Sequence, residues 1–212
     1  MHTCEQPAGI AAFLMVHSKK GLIMNQMTGN ILDENRKLST RDIVRIGLVT
    51  AIICVLAPMS IPIGPVPISL TTLVLYFSIY LLGTVPALIS CLIYLLLGLA
   101  GLPVFSGFTS GPAKIAGPTG GYLLSYFLMI LIAGIIISRS EGRKWMELIG
   151  MIAGTAVLYT IGTIWLDLQT GMGTIPALMA GVIPFLPGDA VKILLALFFG
   201  RKLKGLVERT RH

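Results

Sequence analysis

Charge is scarce in this chain. Only 12% of its 212 residues are Asp, Glu, Lys or Arg, while 55% are hydrophobic and the mean hydropathy is +0.87; soluble domains carry about 25% charged residues. That balance excludes a soluble globule. Histidine is scarcer still: His2, His17 and His212 all lie outside the apolar runs, so neither an HExxH zinc site nor a histidine-based triad can be assembled. The three cysteines, Cys4, Cys54 and Cys91, are odd in number and lack metal-ligand spacing, which leaves them as packing residues or bystanders. No G-x-x-x-x-G-K-[ST] loop occurs, so any ATP-driven work has to be done by another polypeptide. At about 20 apolar residues per span, roughly 165 apolar-rich residues hold six helices with short loops and leave no room for a separate soluble catalytic domain.

The apolar sequence falls into six runs: Ile43 to Met59, Pro62 to Leu82, Val85 to Leu102, Tyr122 to Ser138, Trp145 to Leu166 and Ile175 to Phe199. They predict an all-α integral membrane protein of six transmembrane helices. The second and third runs are separated only by Gly83-Thr84, which predicts a tight antiparallel hairpin; Pro65, Pro67 and Pro86 sit where helix starts tolerate proline. Pro184, Pro187 and Gly188 predict that the sixth run breaks and restarts near Asp189. Residues 1–42 are polar and mixed in charge apart from Ile10 to Val16. That stretch is too short to span and has Glu5 where a signal peptide has a basic flank. We read 1–37 as an N-terminal extension, either a mobile tail or the product of a start placed too early, with Met24 and Met27 as alternative starts, and 38–212 as the membrane domain.

Sixteen basic residues against nine acidic ones give a net charge of +7. In a soluble protein this would point to nucleic acid; here its distribution decides otherwise. Arg36, Lys37, Arg41 and Arg45 precede the first run, Arg139, Arg143 and Lys144 lie between the fourth and fifth, and Arg201, Lys202, Lys204, Arg209 and Arg211 follow the sixth. With six spans these clusters share one face, so both termini are expected in the cytoplasm of a multi-pass protein of the cytoplasmic membrane, with lipid and not nucleic acid as its surroundings. The opposite loops, Pro58 to Pro67, Pro103 to Gly121 and Asp167 to Thr174, are rich in Gly, Pro, Ser and Thr and would close a pocket reached from outside.

Asp189 and Lys192 are the ionisable pair within the spans, three residues apart and therefore on one helix face. Burial at membrane depth costs several kcal/mol for either alone, so both should face the bundle interior. They either pin two helices or bind a ligand; Pro187-Gly188 puts Asp189 in the first turn after a break, beside backbone N–H groups, as in the broken-helix sites of transporters. Gly117-Pro118-Thr119-Gly120-Gly121-Tyr122 opens the fourth helix, where glycines admit close approach and a helix N-terminus suits an anion. Gly47-x-x-x-Ala51 and Gly150-x-x-x-Gly154 are small-residue pairs that let helices approach closely; internal packing explains either, and the first is also placed to meet a partner.

Four motifs in order, Pro67-Ile68-Ser69-Leu70-Thr71-Thr72, Gly101-Leu102-Pro103-Val104-Phe105, Gly117 to Leu123, and Pro187-Gly188-Asp189 with Lys192, resemble the BioY family, the biotin-specific substrate-binding (S) components of energy-coupling-factor (ECF) transporters. The resemblance runs from about Leu38 to the C-terminus. It implies a six-helix protein that captures biotin from outside, is not itself an enzyme, carries no cofactor, and works with a transmembrane coupling subunit and two cytoplasmic ATPase subunits. The Gly47 and Ala51 stripe would meet the coupling subunit. Asp189 would accept from the ureido N–H groups and Lys192 or a backbone N–H would donate to the ureido carbonyl. The valerate carboxylate would lie near Gly117, Thr119 and Gly120, with the apolar parts against Tyr94, Phe105, Tyr122 or Tyr126. The reverse orientation, carboxylate on Lys192, stays open, as does an S component or stand-alone carrier for another small vitamin. An intramembrane enzyme is the weaker alternative, since no catalytic dyad is visible.

Overall fold

Four prolines between Pro58 and Pro67 decide how the chain leaves its first helix. In the computed structural model, which describes residues 39–63 and 65–209, α1 runs Thr40–Leu56, with Asp42 in its first turn on the side of the helix dipole that favours a carboxylate. The expected extension 1–37 lies outside the described residues. After Pro58 the chain forms an antiparallel hairpin, β1 (Ser60–Ile63) and β2 (Val66–Ser69), in which Pro62 pairs with Pro67. This corrects the expectation that helix begins at Pro62 and that the chain is purely α. Prolines remove N–H donors that a helix interior requires, whereas both strands of a two-stranded hairpin are edges that tolerate them.

Helix α2 (Thr71–Leu82) and helix α3 (Thr84–Leu99) are joined by Gly83 alone, whose φ of 91° is costly for residues with a Cβ, in agreement with the expected tight connection. A loop and the short α4 (Pro112–Ala116) lead to α5 (Gly120–Arg139). A turn through Gly142 precedes α6 (Lys144–Thr170), which ends on Gly171 in the left-handed region, a common helix stop. The last run is broken: α7 (Thr174–Gly181) and α8 (Leu186–Leu195) are followed by one π-helical turn at Ala196–Gly200 and by α9 (Arg201–Arg209). The break comes at 182–185, so the helix restarts at Leu186, three residues before Asp189. Pro187 then occupies the first turn, where its missing N–H costs nothing.

The chain is mostly helical. Gly120–Arg139 and Lys144–Thr170 are long and apolar enough to cross a bilayer, and Thr174–Gly181 with Leu186–Gly205, bent by 44°, make a third such segment as a broken pair. Thr71–Leu82 and Thr84–Leu99 are apolar but shorter. Large apolar side chains face outward along most helices, among them Leu48, Leu92, Ile152, Ile164 and Phe198, while Tyr76, Tyr94, Phe105, Met129, Met151 and Leu166 fill the interior. The Gly150-x-x-x-Gly154 pair packs internally: a Cβ on Gly150 would press on Ile136, and one on Gly154 on the Met129 carbonyl and Ala133, so α5 and α6 lie against each other. Gly47 has open space around it and Ala51 is exposed.

Candidate ligand-binding site

Asp189 in the first turn of α8 and Lys192 in its last turn share one face, and both are buried, at 7% and 8% exposure. Lys192 Nζ donates to Asp189 Oδ1 at 2.8 Å, to the Ser69 carbonyl of β2 at 2.7 Å and to Thr72 Oγ1 of α2 at 3.3 Å. An ammonium has three hydrogens, so each has an acceptor. Asp189 Oδ2 accepts from the hydroxyl of Tyr159, on α6, at 2.5 Å. The pair thus ties α8 to β2, α2 and α6, which is the helix-pinning role. A carboxylate offers about four acceptor positions, and these contacts occupy two of them.

Those same residues form one wall of a cavity. Val66, Pro67, Ser69, Thr72, Tyr122, Tyr126, Leu158, Tyr159, Gly181, Phe185, Asp189 and Lys192 enclose about 50 Å³. A second space of about 30 Å³ adjoins it, lined by Thr71, Tyr94, Ser106, Thr119 and Leu123 and sharing Val66, Pro67, Ser69, Tyr122 and Tyr126 with the first. The hairpin and two tyrosines of α5 therefore partition one region into two compartments. Tyr122 reaches its place because two positions lack side chains: a Cβ on Gly162 or Gly181 would collide with its ring or hydroxyl. Its hydroxyl donates to the Gly181 carbonyl at 3.1 Å and lies 3.4 Å from Thr163 Oγ1. That carbonyl is at the end of α7, where the broken span leaves acceptors without helical partners.

Of the residues singled out from the sequence, Asp189, Lys192, Tyr122, Tyr126, Tyr94 and Thr119 line these compartments. Gly117, Gly120 and Phe105 do not. Gly117 supplies its carbonyl to Trp165 Nε1 at 2.9 Å, Gly120 packs where a Cβ would overlap the Ile115 carbonyl, and Phe105, fully buried, meets Tyr94 edge to face at 5.6 Å. Phe105 thus backs a lining residue, whereas Gly117 and Gly120 pack against Trp165 and Ile115, which line neither compartment. The backbone donors expected beside Asp189 are also largely committed: Phe185 and Leu186 donate to the Val182 carbonyl and Asp189 to that of Phe185, while Pro187 has no N–H to offer. Lys114, in α4, lines neither compartment, and its partial burial lowers its pKa from the ordinary lysine value.

Tyr159 is the site residue that the sequence reading misses. Its signal was present: Thr155, Tyr159 and Thr163 recur every four residues along α6 and are all buried, a polar stripe inside an apolar span that has to face the interior. Ser69 and Thr72 stood within a recognised motif without a role; they are the acceptors for Lys192.

Three comparisons place this architecture. The family model of the BioY family matches residues 27–209. The chain is 35% identical over 170 residues to the biotin transporter BioY of Thermotoga maritima, covering 80% of this chain and 99% of that protein. It is 36% identical over 170 residues to the biotin transporter BioY2 of Lactococcus lactis subsp. cremoris, covering 80% and 92%. A crystal structure of the S-component for biotin from an ECF-type ABC transporter superimposes with a TM-score of 0.73 at 30% identity, over 78% of this chain and 91% of the other. With the family model spanning most of its length and relatives of this identity covered almost end to end, the chain belongs to the BioY family.

Proposed function

We propose that this protein captures biotin and carries it into the cell as the S component of an ECF-type transporter, with ATP hydrolysis in separate subunits. The observation that carries the assignment is the Asp189 carboxylate: buried, held by Lys192 and Tyr159, facing a cavity, and with two acceptor positions still open. A ureido ring brings two N–H donors and one carbonyl. Asp189 accepts the former. Lys192 serves the carbonyl by leaving Thr72, whose 3.3 Å bond is the longest of its three. The valerate carboxylate points to the second compartment and Thr119, with Tyr94, Tyr122 and Tyr126 against the thioether and methylenes. Small-molecule sites enclose about 300 to 1,000 Å³, far more than the two compartments here, so binding within them requires Tyr122, Tyr126 or the β1–β2 hairpin to yield and merge them; the roomier groove of about 390 Å³ that Asp189 and Tyr159 also line is walled mainly by apolar side chains such as Leu148, Ile152, Leu186 and Leu194.

The topology belongs to the same reading: residues 38–212 form six spans with both termini cytoplasmic, and 1–37 is an extension. Helix α2, at 12 residues, is about 18 Å long and falls short of a roughly 30 Å hydrocarbon core. The hairpin completes that span from the outer side. Non-helical backbone is tolerated at depth where it lines a cavity within the protein, and β2 does so, with Lys192 satisfying Ser69. On the membrane-facing side of α1, the open Gly47 and Ala51 stripe suits close approach by the transmembrane coupling subunit. Radiolabelled biotin uptake tests the assignment in cells expressing this chain with and without coupling and ATPase subunits. Uptake that needs all three and is competed by unlabelled biotin is expected; no uptake of biotin above that of cells lacking this chain, with the other subunits present, would reject it.

A further inference from the structure

The end of the molecule opposite the hairpin carries a second cleft, lined by Lys144, Leu197, Phe198 and Arg201 and enclosing about 180 Å³. We propose that this cleft binds one anionic phospholipid, its phosphate on Lys144 and Arg201 and an acyl chain along Leu197 and Phe198.

Lys144 is the first residue of a helix long and apolar enough to cross a bilayer, so it stands where that span meets water, whichever face it is. Trp145, next to it and 78% exposed, agrees, since tryptophan's amphipathic ring is enriched at membrane interfaces, while Phe198 and Phe199, 72% and 55% exposed, turn purely apolar rings outward. The inference therefore needs α6 to span and does not depend on biotin.

Lys144 is exposed and makes no ion pair among the described residues. Arg201 donates from Nη2 to the Gly142 carbonyl at 2.7 Å and from Nη1 to Glu147 Oε2 at 3.3 Å, contacts that leave further guanidinium hydrogens free. Two carboxylates are near. Glu147 is buried and shared among Arg201, Tyr80 and Ser140, and Glu141 lies 3.9 Å from Arg143. Lys202 and Lys204 add exposed positive charge on the same terminal helix. The balance at the cleft is positive, which favours a phosphate and disfavours the ammonium of a zwitterionic headgroup.

A soluble anion has no use for Leu197 and Phe198, and a hydrocarbon chain has none for two cations; an anionic lipid uses both. The π turn builds this juxtaposition. Gly200 sits where a Cβ would press on the Tyr80 ring at 2.5 Å, anchoring one side of the turn inward while Phe198 stands outward on the other. Such turns concentrate at functional sites.

The full chain, reconstituted in nanodiscs of mixed phosphatidylethanolamine and phosphatidylglycerol and released for native mass spectrometry, supplies the test. The wild-type chain should retain one phosphatidylglycerol in preference to phosphatidylethanolamine. Lys144→Gln should lower that occupancy about fivefold, the effect of one interfacial cation, and Phe198→Ser should lower it as well, whereas Lys114→Gln leaves it unchanged. Arg201→Gln is a poorer probe because it strands Glu147; exposed Lys144 avoids that problem, and an unaltered melting temperature of Lys144→Gln verifies its fold. Equal retention by wild type and Lys144→Gln, or equal retention of the two lipids, overturns the proposal. Displacement of the lipid by millimolar inorganic phosphate overturns it also, and assigns the cations to a free anion.

Discussion

Asp189 holds two hydrogen bonds and has room for two more, and that residue-level count generates the sharpest expectation. Asp189→Asn keeps the shape but replaces a charged acceptor by a neutral amide, and a hydrogen bond to a charged group is worth about 1.5 to 3 kcal/mol. Biotin affinity should fall by roughly tenfold to more than a hundredfold, read by titration of monodisperse protein beside its melting temperature. Unchanged affinity in a folded mutant would reject the ligand role. Lys192→Met should also weaken binding, and because the two side chains touch at 2.8 Å their effects should not add. A pair that only pins helices behaves differently: each single variant loses stability, and Asp189→Asn with Lys192→Met regains part of it, since removing both charges leaves neither buried alone. Tyr159→Phe separates positioning from contact. It removes the donor to Asp189 Oδ2 without touching the open acceptor positions, so the melting temperature should drop while affinity falls less than in Asp189→Asn; a larger affinity loss than that of Asp189→Asn would make Tyr159 a direct ligand. Asp189 and Lys192 were legible because charge inside an apolar run has few explanations. Tyr159 was not, because a tyrosine in a span is ordinary until its hydroxyl is seen on a carboxylate.

At the scale of elements, the hydrophobic runs located the helices, and proline decided what the runs could not. The run from Pro62 to Leu82 carries no charge, yet Pro62, Pro65 and Pro67 turn its first part into a hairpin whose β2 lines the cavity and accepts from Lys192. Periodicity does not separate a buried strand from a buried helix over so short a stretch, whereas missing N–H donors do. The break in the last run was legible for the same reason, but its position depends on which carbonyls find partners. Val182 accepts from Phe185 and Leu186, so the helix restarts at Leu186. Helix α1 shows how two small-residue pairs of the same pattern can differ. Gly150 and Gly154 are covered by α5, and Gly47 faces open space, a distinction only tertiary packing makes. If that open stripe receives the coupling subunit, Gly47→Leu with Ala51→Leu should abolish ATP-dependent uptake and leave biotin binding by the purified protein intact, because large side chains hold helices apart. Normal copurification of the double variant with a coupling subunit would sink the assignment.

For the whole molecule, the distribution of charge and the distribution of burial make one statement about orientation. The basic clusters around Arg139 to Lys144 and Arg201 to Lys204 come together at one end, where Arg201 reaches Glu147 and the Gly142 carbonyl, while the hairpin, α4 and the two compartments belong to the loops at the other. Positive clusters mark the cytoplasmic face, so the compartments should open outward and capture biotin before it crosses. Cysteine labelling by an impermeant thiol reagent decides this in a background lacking the three native cysteines. The sites have to be exposed on both sides for the contrast to mean anything. Ser140 does not qualify, being 1% exposed and bonded to the Ile137 carbonyl, and would stay unlabelled on either face. Ala113, exposed on α4, and Glu141, with an 81% exposed side chain in the α5–α6 turn, are suitable. Ala113→Cys should react in intact cells, and Glu141→Cys only after the membrane is permeabilised. The reverse pattern would invert the molecule, put the compartments on the cytoplasmic side, and leave a binding site facing away from the substrate it is proposed to collect.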